Sequence, residues 1–371
     1  MPLISAAMIV RDEEAFLLNC LQSIRNFVDE IVVVDTGSTD QSVSIAKQFN
    51  ADVSVIPWEG DFAAARNEAL QRCQGRWILY IDADEQLENA TIHQIKPLLD
   101  DPDNLAFTVK FFPSKKFTSY REYRVFRNDR RIRYEGVIHE TMLPAIQKVA
   151  GSDRLKIGSL PLTIRHFGFD TDQNAKHRRN LPLLKEAVLK RPERSYLWWH
   201  LGTVLMALGD KAAAALTWEK GLFHLRAKET LDHQDSLIYG ELIRFYHIHG
   251  KDVFPLINEA LARFPDQYYI LWLQATALKD NHDFEVAATI FEQLTAIDSN
   301  RLDEPIAYNC GIFQELSLEP LGGCYFKMGR FEESAECYRR CEALDPSNLS
   351  FKIKRQFIST RSSAPYCHQK P

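Results

Sequence analysis

Three carboxylates stand directly after an apolar stretch, and their types and spacing suit metal chemistry. The apolar run 77–81 is followed at once by Asp82, Asp84 and Glu85. Carboxylates crowded in this way repel one another unless a cation neutralises them, and oxygen ligands suit Mg²⁺ or Mn²⁺. Asp-x-Asp is by itself also typical of a solvated turn, so the interpretation as a metal site depends on the neighbouring motifs.

The element that must position these carboxylates is a buried strand. A short, continuous apolar run is typical of a strand covered on both faces, as in a parallel sheet between helices. Ligands bind to such sheets beyond the carboxyl ends of the strands. In a regular strand Asp82 and Asp84 would share one face. The sequence therefore predicts a site at the end of this strand.

Strand and helix alternate before this point. Strands are predicted near 3–10, 31–34 and 52–56, with helices near 13–26 and 41–49 between them. Asp61 is placed to cap a third helix, and Gly75 to end it in a left-handed conformation. This alternation predicts a doubly wound α/β layer. Shorter strands follow within 105–112, 123–126 and 162–164.

A basic stretch lies among these later strands. Residues 115–133 contain eight Lys or Arg against two acids. Two interpretations remain open: a solvated face, or an edge that meets phosphate, for which Arg is suited.

The second half of the chain is helical and repetitive. A group of small and large apolar residues recurs at a constant offset of 120, as Leu201, Gly202, Leu205, Gly209, Ala215 and Trp218 and again as Leu321, Gly322, Tyr325, Gly329, Ala335 and Tyr338. Small residues let paired helices approach closely, and large ones fill the space between pairs. Repeats of roughly 34 residues with this pattern predict stacked helix hairpins of tetratricopeptide type.

Composition argues against several classes of protein. The net charge is −5, without the basic excess of a nucleic-acid binder. Seven cysteines without Cys-x-x-Cys favour neither a disulfide framework nor a zinc site. No apolar run approaches the roughly 18 residues that span a bilayer, and the start suits a strand better than a signal peptide. We expect a soluble cytoplasmic protein without a nucleic-acid partner, for which an oligomer is possible.

Several motifs in order resemble the inverting family 2 glycosyltransferases, which have the A-type nucleotide-sugar fold. The motifs are IVRDEE (9–14), VDEIVVVDTGSTD (28–40), DFAAARN (61–67), WILYIDADE (77–85), EGVIHE (135–140) and HFGF (166–169). With helical repeats behind it, the chain resembles the subgroup that includes bacterial peptide S-glycosyltransferases of the sublancin type. Asp12 stands where the family usually has Asn.

The resemblance implies a donor site and a metal site. The residues it assigns to the nucleotide-sugar donor are Asp35, Arg66, Asn67 and Asp82. Asp84 would bind Mg²⁺ or Mn²⁺, and His166 would join it. His139 competes with His166 for that role.

The resemblance also implies a base for the acceptor. An inverting transfer needs a base on the face opposite the leaving group, and Glu140 is the first candidate for this residue. Glu135 is the second, and a structural salt bridge is the alternative role for Glu140.

Residues 1–172 are accordingly interpreted as a catalytic domain and 173–371 as a helical repeat domain. The predicted activity is metal-dependent transfer of a hexose from a UDP-sugar to a hydroxyl or thiol, on a peptide or protein held by the repeats. One alternative is a tetratricopeptide scaffold whose nucleotide-sugar domain is inactive. Another is a nucleotidyltransferase, which would release pyrophosphate rather than UDP. Because every donor motif falls before residue 170, the repeats are expected to serve the acceptor alone.

Overall fold

The computed structural model describes residues 2–88, 90–168 and 173–362, with side chains up to 360. In these residues every strand lies in the first half of the chain. The last strand ends at His166, and the next long helix begins at Gln173. Phe169 of the HFGF motif and Asp172 at the predicted boundary lie outside the described residues, so the boundary at 172/173 stays a prediction.

The first half alternates strands and helices as predicted. Its strands are β1 (Ile4–Val10), β2 (Glu30–Asp35), β3 (Asp52–Val55), β4 (Trp77–Tyr80), β5 (Glu85–Glu88), β6 (Asn104–Phe112), β7 (Tyr120–Arg127) and β8 (Lys156–His166). Its helices are α1 (Glu14–Ile24), α2 (Ser42–Gln48), α3 (Phe62–Arg72), α4 (Ile92–Asp100) and α5 (Leu143–Asp153).

All eight strands form one sheet in the order β3-β2-β1-β4-β7-β6-β8-β5. Strands β3, β2, β1 and β4 are parallel neighbours, and β7 joins β4 in the antiparallel direction. The carboxyl ends of β1, β2 and β4 therefore meet at one edge, where parallel sheets bind ligands. At the other end, β5 pairs antiparallel with β8, and Glu85 lies opposite His166.

The sheet is covered on both faces, so it is the middle of three layers. Alternate strand residues enter two separate apolar cores, as period-2 geometry requires. On one face Met8, Val33 and Leu79 pack with α1 and α4. On the other face Val34 and Ile78 pack with α3 and α5. The α/β fold class is confirmed.

Two local predictions fail for physical reasons. Strand β4 ends at Tyr80, and Asp82 and Asp84 lie in the turn before β5, so they share no strand face. Asp61 does cap α3, accepting from the Ala64 N–H at 3.0 Å. Gly75, however, has no positive φ. Its role is close packing, because a Cβ there would lie 2.5 Å from the Ser5 hydroxyl oxygen.

By packing, the chain divides into two units. Residues 1–217 and 303–307 form one, and residues 218–302 and 308–371 form the other. The first unit thus includes the α/β layers, α6 (Gln173–Lys190), α7 (Ser195–Ala207) and the start of α8 (Lys211–Arg226). Although α6 and α7 belong to the predicted repeat region, they pack with the sheet's unit.

The second unit is entirely helical in its described residues. After α8 its helices are α9 (Ser236–Ile248), α10 (Phe254–Arg263), α11 (Tyr268–Asp280), α12 (Phe284–Thr295), α13 (Glu315–Lys327), α14 (Phe331–Leu344) and α15 (Leu349–Ser362). The repeat pattern has a packing cause, since a Cβ at Gly322 would lie 2.9 Å from the Tyr338 ring. Gly329, with φ +77°, makes the turn after α13. Throughout the described chain, no helix combines the length and apolarity needed to cross a membrane.

Candidate active site

A cleft of about 470 Å³ opens at the carboxyl edge of the sheet, where the sequence predicts a site. The loops after β1, β2 and β4 contribute to it, together with β6, β7, the end of β8 and one face of α6. Four predicted site residues line it: Arg66, Asp82, Asp84 and His166. They form two separate groups.

The first group is centred on Arg66, on helix α3. Its Nη1 and Nη2 atoms donate to the two carboxylate oxygens of Asp82, at 2.9 and 3.3 Å. The Tyr80 hydroxyl also donates to Asp82, at 3.0 Å. Burial alone would raise the pKa of Asp82, but the Arg66 charge outweighs it and holds the pKa below its ordinary value. Asp82 is therefore a charged, fixed acceptor in the cleft.

Glu140 belongs to the same group. The Nε atom of Arg66 donates to its Oε1, so one guanidinium joins two carboxylates. The Glu140 side chain is 10% exposed and does not line the cleft. This ion pair is the structural alternative that the sequence left open, and its partner is Arg66 rather than the basic stretch.

The second group is Asp84 and His166. Pairing of β5 with β8 brings the His166 Nε2 atom to 3.1 Å from Asp84 Oδ2. The other ring nitrogen, Nδ1, lies 3.0 Å from the Pro113 carbonyl oxygen, to which it must donate a proton, so Nε2 is the ring nitrogen that would bind a metal after losing its own proton. Burial would lower the pKa of His166, but its contact with Asp84 raises it to about 9.

The donor set fits a divalent ion that also binds substrate. Asp84 and His166 offer one oxygen and one nitrogen, and Mg²⁺ is commonly held by one or two protein ligands plus phosphate oxygens. Within the described ranges no cluster of three or more His, Cys, Asp or Glu could hold a metal. Gly168 leaves room for this arrangement, because a Cβ there would lie 2.0 Å from Asp84 Oδ2.

His139, the competing candidate, lies elsewhere. Its ring stacks on that of His200 with centroids 3.6 Å apart, and it does not line the cleft. Of the two histidines only His166 contacts the Asp84 carboxylate. Glu135, the second candidate base, is mostly exposed and reaches Arg191 of α6 at 3.4 Å.

Asp35 and Asn67 have contacts that explain their positions. Asp35 Oδ1 accepts from the backbone of Gly37 and Ser38, both at 2.9 Å. Its Oδ2 atom is buried and has no hydrogen-bond partner in the described structure; Asp35 itself does not line the cleft, whereas the next residue, Thr36, does. Asn67 bonds through both side-chain atoms to the backbone of Tyr134, at 2.8 and 3.0 Å, and does not face the cleft.

Asp12 shows why the first loop accepts an unusual residue. Its φ is +54°, a left-handed conformation that Asn and Asp adopt more readily than other residues with side chains. Its carboxylate accepts from the Thr39 backbone at 2.7 Å and so ties the first loop to the second.

The sequence did not predict a buried ion pair in the wall of the cleft. Arg124 donates to both oxygens of Glu85, at 2.8 and 2.9 Å, and both side chains are only 3% exposed. Burial raises the pKa of Glu85 to about 7, although the Arg124 charge opposes this. Both the Arg66 and the Arg124 guanidinium carbons lie 4.3 Å from the Tyr80 ring centroid, which links the pair to the Arg66 group.

The basic stretch is mostly used within the protein. Arg121 pairs with Asp303, and Arg131 pairs with Asp129 and Asp153. Arg127 donates to backbone carbonyls. Of the Lys and Arg residues in this stretch, Arg124 alone lines the cleft, beside Tyr120 and Glu122. The sequence also missed Lys176 and Arg179, which enter the cleft from α6 and carry no motif.

Family models of two kinds match the chain. Residues 5–150 match the model of glycosyl transferase family 2. Residues 173–226 and 321–348 match tetratricopeptide repeat models.

Two curated relatives match the chain over about half of their length. A TPR repeat-containing protein of Synechococcus elongatus is 37% identical over 227 residues, which is 59% of this chain and 56% of that protein. The SPbeta prophage-derived glycosyltransferase SunS of Bacillus subtilis is 28% identical over 233 residues, which is 59% of this chain and 53% of that protein. The chain therefore spans little more than half the length of either relative.

Two solved structures resemble the chain at low identity. Glucosyl-3-phosphoglycerate synthase from Mycobacterium tuberculosis, with Mn²⁺ and UDP-glucose, is 18% identical, with a TM-score of 0.37 over 51% of this chain and 79% of that one. S. aureus TarS 1-349, with UDP-GlcNAc, is 15% identical, with a TM-score of 0.37 over 78% of this chain and 92% of that one. From the family matches, residues 5–150 form a glycosyltransferase family 2 domain, and tetratricopeptide repeats follow it in the same chain.

Proposed function

We propose that this chain transfers a hexose, with inversion, from a UDP-sugar to a hydroxyl or thiol on a peptide or protein. The observation that carries the proposal is the pairing of Asp84 Oδ2 with His166 Nε2, at 3.1 Å, in the cleft at the carboxyl edge of the sheet. A divalent ion held by these two residues would offset the charge that develops on the departing diphosphate.

The remaining donor-site residues of this chain have distinct tasks. Asp82, charged and held by Arg66, offers an acceptor to a ribose hydroxyl. The unpartnered Oδ2 atom of buried Asp35 suits the N–H of a uracil ring. Other nucleobases also carry N–H groups, so the choice of uridine rests on the family resemblance.

Glu140 is the proposed base. The acceptor oxygen or sulfur would form a bond to the anomeric carbon while the bond from that carbon to the diphosphate breaks, and the acceptor proton would pass to Glu140. Arg66 contacts Oε1 of this carboxylate, so Oε2 is the atom proposed to take the proton. The ion pair would hold the carboxylate in one orientation, as hydrogen bonds to a functional side chain commonly do.

The tetratricopeptide repeats support a macromolecular acceptor. Stacked helix hairpins commonly present extended surfaces to peptide segments.

A panel of nucleotide sugars, incubated with the full chain and Mn²⁺ or Mg²⁺, tests the proposal. We expect slow metal-dependent hydrolysis of a UDP-sugar, measured as UDP release, and faster release with a peptide acceptor. UDP binding without turnover on any sugar would instead support the scaffold alternative. Release of pyrophosphate would indicate a nucleotidyltransferase.

A further inference from the structure

The cations that line the cleft are of two kinds. Arg66 is paired with Asp82 and Glu140, and Arg124 is paired with Glu85 and with Glu122. The others are Arg11, Lys176 and Arg179. In the described parts of the chain, none of these three has a carboxylate within the ion-pair distance of 4.0 Å.

The unpaired cations come from two elements. Arg11 follows strand β1, and Lys176 and Arg179 are three residues apart on α6, on one face of that helix. The Arg179 guanidinium carbon lies 5.5 Å from the ring centroid of Phe62, which also lines the cleft. Burial and the neighbouring Arg11 charge both lower the pKa of Arg179, so these two cations are close enough to repel each other.

Their surroundings favour an anion. Glu13 also lines the cleft, and its charge acts on both Lys176 and Arg179, but its carboxylate lies beyond ion-pair distance of either, and burial raises the pKa of Glu13 to about 7. Like charges that share a cleft are stabilised when an anionic ligand lies between them. From this arrangement we infer that Arg11, Lys176 and Arg179 bind the diphosphate of the nucleotide donor, so that helix α6 is part of the donor site. This inference rests on the proposed function.

Arg66 is a poorer candidate for the same task. Its Nε, Nη1 and Nη2 atoms all donate to carboxylates already. A phosphate would have to displace these charge-assisted bonds, each of which contributes substantially to binding. The three unpaired cations require no such exchange. The sequence-based expectation that the repeat region serves only the acceptor would then be wrong for its first helix.

Calorimetry on the full chain tests the inference, with UDP and UMP as ligands, in Mn²⁺ and again in EDTA. We expect Lys176→Ala and Arg179→Ala each to weaken UDP binding about tenfold, as loss of one charge-assisted contact does. The preference for UDP over UMP should shrink, and in EDTA the loss should persist because these contacts are made by side chains.

Arg178→Ala is the matched control, since Arg178 is an exposed neighbour on α6 that does not line the cleft. Lys176→Arg keeps the charge and should keep most of the affinity. Thermal unfolding of each variant shows whether the fold is intact.

Two negative results have different meanings. If the wild-type chain binds UDP but the Lys176→Ala/Arg179→Ala double variant binds it within twofold of Arg178→Ala, the inference about α6 is overturned and the proposed function stands. If the wild-type chain binds no UDP in either buffer, the proposed function itself fails.

Discussion

The two sides of the cleft differ in how their charges are satisfied. On the Arg66 side, carboxylates and guanidinium groups neutralise one another in contacts among Asp82, Glu140, Glu85 and Arg124. On the Asp84 side, a carboxylate meets a single histidine. In the described residues, Arg11, Lys176 and Arg179 also line the cleft without an ion pair. The Arg66 and Arg124 guanidinium groups are thus already paired, whereas Asp84, His166 and the three other cations have bonding capacity left for a ligand.

This difference distinguishes residues that fix the geometry of the site from residues that bind a ligand. Buried and fully bonded ion pairs stabilise one arrangement of side chains and resist rearrangement, since breaking one leaves an uncompensated charge. Groups without partners can exchange water for a ligand at little cost. We therefore expect substitutions on the Asp84 side to change ligand binding, and substitutions behind the Arg66 side to change stability.

The largest expected effect is that of Asp84→Ala. Removal of this carboxylate leaves His166 as the one remaining predicted ligand, so the metal-dependent part of UDP affinity and turnover should be abolished. Calorimetry of UDP with and without Mn²⁺, alongside a UDP-release assay, measures both. Asp100→Ala, which changes an exposed carboxylate on α4, should leave both unchanged. Retention of metal-dependent affinity by Asp84→Ala would place the metal elsewhere.

Glu140→Gln should separate chemistry from binding. If Glu140 is the base, transfer should fall by roughly 10²–10⁴, the usual contribution of a positioned base. UDP affinity should remain close to that of the wild type, because Arg66 keeps its bidentate contact with Asp82. A thiol acceptor would reduce the loss, since thiols deprotonate more readily than hydroxyls.

Single-turnover transfer and UDP calorimetry give the two readouts for this variant. Glu135→Gln is the comparison, because Glu135 is exposed and contacts Arg191. If Glu140→Gln loses UDP binding as fully as Asp84→Ala does, Glu140 is a donor-site residue. If it loses neither binding nor transfer, the base must be sought at Glu135 or in the acceptor.

The Arg124 pair gives a stability effect. Arg124→Met removes the charge that faces buried Glu85, and should lower the free energy of unfolding by about 3–5 kcal/mol. Arg121→Met, on the same strand, is the matched control. The pair of Arg121 with Asp303 is more exposed and should contribute at most about 1 kcal/mol to stability. Thermal unfolding of the two variants compares them. Equal losses would mean that burial does not separate the two pairs.

The sequence predicts those features of the fold that depend on residues close together in the chain. Buried apolar runs define strands such as β2 and β4, and parallel strands place Asp35 and Asp82 at one edge of the sheet. The ion-pair partner of each charged group could not be predicted from the sequence, because it depends on contacts between residues that are distant in the chain. Arg66 and Glu140 are 74 positions apart.

Gly75 shows that backbone conformation, too, can depend on a residue far away in the chain. A glycine after a helix usually suggests a left-handed turn, whereas here the cause is the approach of Ser5, 70 positions away. Lys176 and Arg179 carry no local signal at all, since charged residues three apart on a helix are common on solvated faces.

The smallest expected effect is a loss of stability in acid caused by His139, which directly precedes Glu140, and His200, whose rings stack on each other. Burial lowers the pKa of His139 to about 3, and the Arg194 charge adds to this shift. Burial also lowers the pKa of His200, and the charges of His139, Arg194 and His177 oppose its protonation. Because both histidines have folded-state pKa values below their unfolded value of about 6.5, the unfolded chain binds more protons in acid. Stability should therefore be unaffected above about pH 7 and fall as the pH decreases below 6.5, by at most about 2 kcal/mol per histidine at pH 5.

Thermal unfolding from pH 7.5 to pH 5 measures how steeply stability falls with pH. His200→Phe keeps a ring against His139 but cannot be protonated, so it should flatten the acid limb, whereas His93→Gln on exposed α4 should not. An unchanged slope in His200→Phe would show that this histidine stack does not set the acid limit.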